Sequence, residues 1–349
     1  MVCIVAVAAV TGFLAPAWWL DVHVIAGYAL AALLAFRLAW GFLGSHYSTF
    51  RTFPLSWDGV VEHLRLILRN KSPVYIGHNP VGALMIVILL VALVSLVVTG
   101  LITLGGQQKL GPLAFLTTYE IGHFSKDIHE IAAWGVVLAI AIHLAGVLVE
   151  TRIFRHTIIL PMITGRKALA GKWLIPKGRD VSARGVILSV LGVGVLVAGG
   201  TVLASRPPAG WRPLEFPAVY ASECGDCHVA YHPSLRSAKA WRAIMAGLSD
   251  HYGEDASLGR KTAESITKFL TASAAETFDT TVAHRIGRKE TASFRMTDTR
   301  RWKAWHKGID ASVFRRRAVG SKVNCNACHK DAPSGRFYAA EIHLPTGDQ

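Results

Sequence analysis

The chain has 349 residues, 52% of them hydrophobic, and a mean hydropathy of +0.36, values that exclude an ordinary soluble globular protein and point to a bilayer. The formal net charge is +14, and residues 206–349 supply half of it, with 22 Lys and Arg against 15 Asp and Glu. There is no Walker loop, dinucleotide fingerprint, G-x-S-x-G elbow, internal repeat or low-complexity tract, so the chain's own side chains offer no pattern for covalent or nucleotide-dependent catalysis.

Apolar residues concentrate before residue 205, and five membrane helices are predicted at 2–18, 21–43, 81–103, 128–150 and 185–204, each with close to the ~20 apolar residues that a bilayer requires. Cys3 lies in the first run as a packing residue. Arg51, Arg65, Arg69 and Lys71 follow the second span. Arg152, Arg155, Arg166, Lys167, Lys172, Lys177, Arg179 and Arg184 follow the fourth, and this bias makes both loops cytoplasmic. Between spans three and four Lys109 and Lys126 are offset by Glu120 and Asp127, so that loop, and with it residues 206–349, is expected outside. Trp18, Trp19, Trp40 and Phe42 sit where interfacial belts form.

Polar side chains within spans are expensive and face the bundle interior for a reason. His129 and His143 are fourteen residues apart on the fourth span, ~21 Å along the axis and only about 40° around it, so they share a face. That spacing suits two stacked haems. His23 begins the second span level with His129, and the two are expected to clamp one b-type haem from opposite sides. Arg37 falls near the level of His143, where it either pairs with a haem propionate or snorkels to the interface. Asn79-Pro80 reads as a helix N-cap followed by proline at the first helical position, with His78 just outside the bilayer.

Past the fifth span, the Pro-rich linker Ala204–Pro213 leads to a polar segment with Cys224-x-x-Cys227-His228 and Cys325-x-x-Cys328-His329. In each motif two thiols can add to the vinyl groups of one haem, and the adjacent His ligates the iron, so two covalent haems c are expected. Zinc suits the motifs less well, since each carries its own His and they are a hundred residues apart. Haem attachment of this kind takes place outside the cytoplasm, in agreement with the loop charges. Arg315-Arg316-Arg317 is the densest basic run, a solvated face or a steering surface for an acidic redox partner; nucleic acid is not an expected partner of an exported haem domain.

Residues 1–180 resemble the bacterial cytochrome b561 family, which includes the membrane b subunits of nickel-iron hydrogenases. The resemblance rests on Leu20–Phe42, on Gly77-His78-Asn79-Pro80-x-Gly82, on Asp127–Glu150 and on Met162-Ile163-Thr164-Gly165-Arg166-Lys167. It implies a four-helix bundle with two b haems, His129 paired to His23 and His143 paired to a first-helix His within R-x-x-H-W. This first span has no such His and no preceding basic residue. An N-terminus truncated by a late start is the expectation; a single b haem, or His78 or His156 as partner of His143, are the alternatives. The C-terminal part resembles dihaem cytochromes c in Cys224–His228, Ala240–Leu258, Arg301–Ile309 and Gly320–His329. That likeness implies six-coordinate haems and therefore two distal histidines. His251 and His306 lie in matching stretches and follow predicted helices; His284 and His343 are the reserves, and His232 is too close to His228. Met245 and Met296 suit packing better than ligation.

The expected fold is all-α: a transmembrane four-helix haem b bundle with a fifth membrane helix, then a small, mostly helical dihaem c domain. The divisions are 1–180, 181–213 and 214–349. The expected role is a multi-pass protein of the bacterial inner membrane that passes electrons from quinol, through one or two haems b and two haems c, to a soluble periplasmic acceptor. The alternatives are the membrane anchor of a larger oxidoreductase such as a hydrogenase, or a haem enzyme handling oxygen or peroxide at an open c haem. A homodimer or a larger redox complex is compatible with either.

Overall fold

The computed structural model describes residues 1–71, 73, 75, 77–154, 167–169, 172–174, 183–289 and 294–345. His156, Met162–Arg166 and the basic residues Arg155, Lys177 and Arg179 lie outside the described residues. The membrane half consists of α1 (Val2–Phe13), α2 (Leu20–Leu43), α3 (Trp57–Leu68), α4 (Pro80–Thr103), α5 (Tyr119–Leu148) and α6 (Ala183–Ala204). A three-residue antiparallel ribbon pairs Lys167–Leu169 with Lys172–Leu174. The c-motif segment adds the short helices α7 (Ala218–Glu223), α8 (Ala238–Ala246), α9 (Arg260–Ala272) and α10 (Arg300–His306).

Four of the five predicted spans are helices long and apolar enough to cross a membrane: Ala17–Leu43, Pro80–Gln108, Tyr119–Ile153 and Ala183–Ala204. The first differs. It is a helix of 12 residues, about 18 Å long, that stops before the Ala15-Pro16 step. α5 starts nine residues ahead of its predicted span, because Tyr119–Asp127 continues the helix with a polar turn where Lys126 pairs with Glu130. Along α6, Ile187, Leu188, Leu191, Val195 and Leu196 are exposed, an apolar surface for lipid to cover. The chain is a multi-pass membrane protein.

Local chemistry sets several helix starts. Asn79 Oδ1 accepts from the Gly82 N–H at 2.6 Å with Pro80 as the first helical residue of α4. Ser56, Ser237 and Thr299 cap α3, α8 and α10 by accepting from Gly59, Ala240 and Trp302 N–H.

The chain forms two compact units. One comprises Met1–Ala9, Ile25–Gly100 and Lys126–Gly200, with a core of Leu30, Leu34, Leu90, Leu93 and Val136. The other gathers Val10–Val24, Leu101–Ser125 and Thr201–Gln349. Its main core packs Tyr220, Trp241, Ile266, Leu270 and Ala274 behind the first cysteine motif. Trp241 Nε1 donates to Pro233 O at 2.7 Å, and Tyr220 Oη to Tyr231 O at 2.5 Å, so both large rings are buried with their polar atoms satisfied.

His232 belongs to this packing. It is 1% exposed, accepts from Ser234 N–H at 3.2 Å and lies against Phe216 and Phe278. Burial, helped by Arg212, pushes its pKa down to about 4, so it is a neutral structural histidine. Gly335, at φ +68°, allows this, since a β-carbon there would overlap the His232 ring. Gly335→Ala should therefore destabilise the domain by on the order of 2 kcal/mol. Gly308→Ala, where nothing lies within 4 Å, should change little in the same thermal melt.

Candidate haem sites

The first cysteine motif leaves the end of α7, with the Cys224 N–H bonded to Tyr220 O at 3.1 Å. His228 Nδ1 lies 2.8 Å from Val229 O. A carbonyl only accepts, so Nδ1 carries the proton and Nε2 is left as the lone-pair nitrogen. The ring of His251 stands 6.3 Å from that of His228, centroid to centroid, with 30° between planes. Tyr231 stacks on His228 at 4.9 Å, and the His251 N–H bonds Glu254 O at 2.7 Å. A groove of about 460 Å³ opens beside Cys227 and His228, walled opposite by Val319, Gly320 and Asn324.

The second motif repeats the arrangement. Cys325–Ala327 forms a single tight turn, the His329 N–H bonds Cys325 O at 2.8 Å, and the ring of His306 stands 6.1 Å from that of His329 at 71°. His306 closes α10 and donates from Nδ1 to Trp302 O at 2.8 Å, while the indole of Trp302 stacks on it at 4.2 Å. Phe337 covers His329 at 5.2 Å. Burial lowers the pKa of His251 and His306 and brings His329 to about 4, which keeps these imidazoles neutral, as metal ligation requires.

Two imidazoles ligating one metal from opposite sides place their centroids roughly 6 Å apart, since each metal–nitrogen bond is about 2 Å. Both pairs have that spacing, so the residues present fit a haem at each motif. The structure also sorts what the sequence leaves open, bringing His251 to His228 and His306 to His329.

The two reserve histidines differ in setting. His343 is exposed, its N–H bonded to Cys328 O. His284 donates from Nε2 to Asp279 Oδ1 at 2.7 Å and stacks on Tyr119 at 4.3 Å. Met296 is buried against Leu235, Val282 and Ile286, and Met245 packs against the Trp241 core, in keeping with packing roles.

In the membrane half, His129 Nδ1 lies 3.0 Å from Leu96 O and 3.0 Å from Thr99 Oγ1, and a β-carbon on Gly100 would stand 3.2 Å from its ring. His23 has a similar setting, with Thr11 Oγ1 at 3.3 Å from Nδ1 and Gly12 beside its ring. In each case a hydroxyl orients the ring and a glycine makes room for it. His143 lies half-buried fourteen positions beyond His129 on α5. Arg37 donates to Ser48 O at 3.4 Å and covers Phe50 at 4.9 Å, contacts of a side chain reaching the loop beyond α2. His78 lies 4.8 Å from the ring of Phe53.

Two clusters escape sequence reasoning. His63, 1% exposed on α3, has Nε2 3.5 Å from Glu150 Oε1, and Asn79 Nδ2 donates to the same oxygen at 3.4 Å. Asp279 is the hub of the second. Its Oδ2 accepts from Lys109 Nζ and from the Tyr119 N–H, both at 2.7 Å, while Oδ1 accepts from His284. Residues 109 and 279 are far apart in sequence, and no local pattern announces their pairing.

Helices of membrane-crossing length, with paired histidines behind two haem-attachment motifs, define a membrane-anchored multihaem cytochrome. Residues 1–165 match the prokaryotic cytochrome b561 family and residues 220–337 the dihaem cytochrome c family. The chain thus joins a membrane segment that matches the b561 family to a segment that matches the dihaem cytochrome c family. Its curated relatives include probable Ni/Fe-hydrogenase B-type cytochrome subunits of Bradyrhizobium diazoefficiens, 26% identical over 42% of this chain and 64% of that one. The Azotobacter vinelandii subunit is 27% identical over 41% and 65%. The chain thus spans just under two thirds of these relatives. Among solved structures, the dihaem cytochrome c of Rhodobacter sphaeroides is 31% identical over 36% of this chain and all of that one, with a TM-score of 0.32. The dihaem cytochrome of Shewanella baltica is 30% identical over 37% and 95%, with a TM-score of 0.30. Haem b and haem c are the cofactors that these two families imply.

The Asp279 hub yields a pH prediction. Burial raises the carboxyl pKa, but hydrogen bonds from His284, Lys109 and the Tyr119 N–H outweigh this and bring it to about 2. A pKa depressed on folding stabilises the fold above the unfolded value and loses that effect as pH falls through the folded one. The contribution should be complete at neutral pH and vanish between about pH 4 and 2. Asp279→Asn should remove on the order of 1–3 kcal/mol at pH 7 and show a smaller further loss than the unmodified protein in acid melts.

Proposed function

We propose that this protein passes electrons from membrane quinol to a soluble acceptor in the bacterial periplasm. The observation that carries the reading is the pair of histidine couples, 6.3 and 6.1 Å apart, each beside a haem-attachment motif. Cys224 and Cys227 would tether one haem c and Cys325 and Cys328 the other. His228 with His251, and His329 with His306, would fill both axial positions of each iron. Two ligands per iron leave no site for oxygen or peroxide, which favours electron transfer over small-molecule chemistry. The haems supply one-electron redox chemistry, and the chain sets their ligands, burial and hydrogen bonds.

In the membrane part, His23 and His129 would hold a haem b near the outer surface, and His143 would serve a second haem toward the cytoplasm. Arg37 stays with the interfacial loop. The basic loop after α2 favours the cytoplasmic side, and placing residues 206–349 in the periplasm agrees with the chemistry of covalent haem attachment. The functional divisions are 1–180, 181–213 and 214–349. The likeness to hydrogenase b subunits favours a second reading, in which this chain anchors a larger oxidoreductase and electrons run toward quinone. The c part weighs toward the first, since it gives electrons an exit beyond the membrane.

Quinol added to the full-length protein in vesicles should reduce the covalent haems. His129→Ala should keep both of them attached yet abolish their reduction by quinol; unchanged reduction in that variant would contradict the route. Carbon monoxide gives an independent check. The reduced protein should bind none at its covalent haems at neutral pH, and His251→Ala or His306→Ala should each open one site per chain. Stoichiometric binding to the unmodified protein would favour the oxygen- or peroxide-handling alternative.

A further inference from the structure

Arg236 follows the tight turn Pro233–Leu235 and is 2% exposed. Its Nη2 donates to Phe294 O at 2.6 Å, whereas Nε is buried without a hydrogen-bond partner among the described residues. Among those residues no carboxylate lies within ion-pair distance. Burial pushes the Arg236 pKa down, and Tyr252, Asp298 and Tyr231 are close enough to act in the other direction. A buried guanidinium without a directly paired carboxylate is costly, so a site of this kind is suited to take an anion.

The surroundings identify that anion. Tyr231 stacks on His228 at 4.9 Å and Tyr252 stands 4.8 Å from His251, so the residues flanking Arg236 are those that wall the first histidine couple. A haem carries two carboxylates on its propionate arms, and a guanidinium binds a carboxylate through paired, charge-assisted hydrogen bonds. We propose that Arg236 binds a propionate of the first haem c and raises its reduction potential. The inference rests on the reading of His228 and His251 as that haem's ligands. A buried positive charge favours the reduced haem, which carries one positive charge fewer, and it neutralises a propionate whose bare charge would act the other way.

The test is a spectroelectrochemical titration of the full-length protein in detergent at pH 7. Arg236→Gln should lower the potential of one covalent haem by a tenfold or greater change in its reduction equilibrium, about 59 mV for one electron, while the second covalent haem and the haem b hold their values. Arg236→Lys, which keeps the charge but not the planar fork, should recover most of the shift. An unmoved potential with the haem in place, or equal shifts of both covalent haems, overturns the proposal. Should the Gln variant fail to mature, resonance Raman decides: the propionate bending band should move between the unmodified protein and Arg236→Lys, and superimposable spectra overturn the assignment. Absence of a covalent haem from the first motif of the unmodified protein would instead refute the underlying ligand reading, a distinguishable result.

Discussion

An imidazole can ligate a metal through one nitrogen only if its proton is held on the other, and for three of the candidate ligands a backbone carbonyl does the holding. Val229 O binds Nδ1 of His228, Trp302 O that of His306 and Leu96 O that of His129. Each carbonyl belongs to a helix or to the turn after a motif, so backbone geometry sets the ring's direction. The rest of the haem chemistry depends on this constraint. With the rings aimed, two imidazoles can approach one iron from opposite sides, and their aromatic neighbours, Tyr231 on His228 and Trp302 on His306, keep water from the rings. A closed, well-packed iron reorganises little when its charge changes, as electron transfer requires.

The second organising feature is electrostatic. Lys109 is 1% exposed and adopts φ +56°, an uncommon conformation for a residue with a side chain. Its charge is met by Asp279, which also caps the Tyr119 N–H at the start of α5 and receives His284. One carboxylate thereby ties the end of the α4 extension, the beginning of α5 and the c-motif segment into a single compact unit. The Tyr119–His284 stack and the Thr281 Oγ1 bond to Gln107 O at 2.9 Å reinforce the junction.

What was legible in the sequence followed from patterns with a local chemical cause. The cysteine motifs, the apolar spans, the Asn79-Pro80 cap and the shared face of His129 and His143 are all written in spacing. Span ends were less legible, because hydropathy reports what lipid covers and not how far a hydrogen-bonded helix runs: α5 continues outward to Tyr119, and α1 ends at Phe13. Choosing His251 and His306 over His284 and His343 drew on family likeness, and matching each to its motif needed three dimensions. Lys109 with Asp279, and His63 with Glu150, join residues distant in the chain, and each looks like an ordinary surface charge on its own. Arg236 was hidden for the same reason, since an Arg in a polar loop reads as solvated until its burial is seen.

The most direct test of the central claim, that both covalent haems are closed by histidine couples, is electron paramagnetic resonance of the oxidised full-length protein with near-infrared magnetic circular dichroism. Two low-spin bis-imidazole c haems of unlike signature are expected: a rhombic signal from the couple at 30° and a highly anisotropic one from the couple at 71°. A high-spin c haem, or the near-infrared band of methionine ligation, would contradict it.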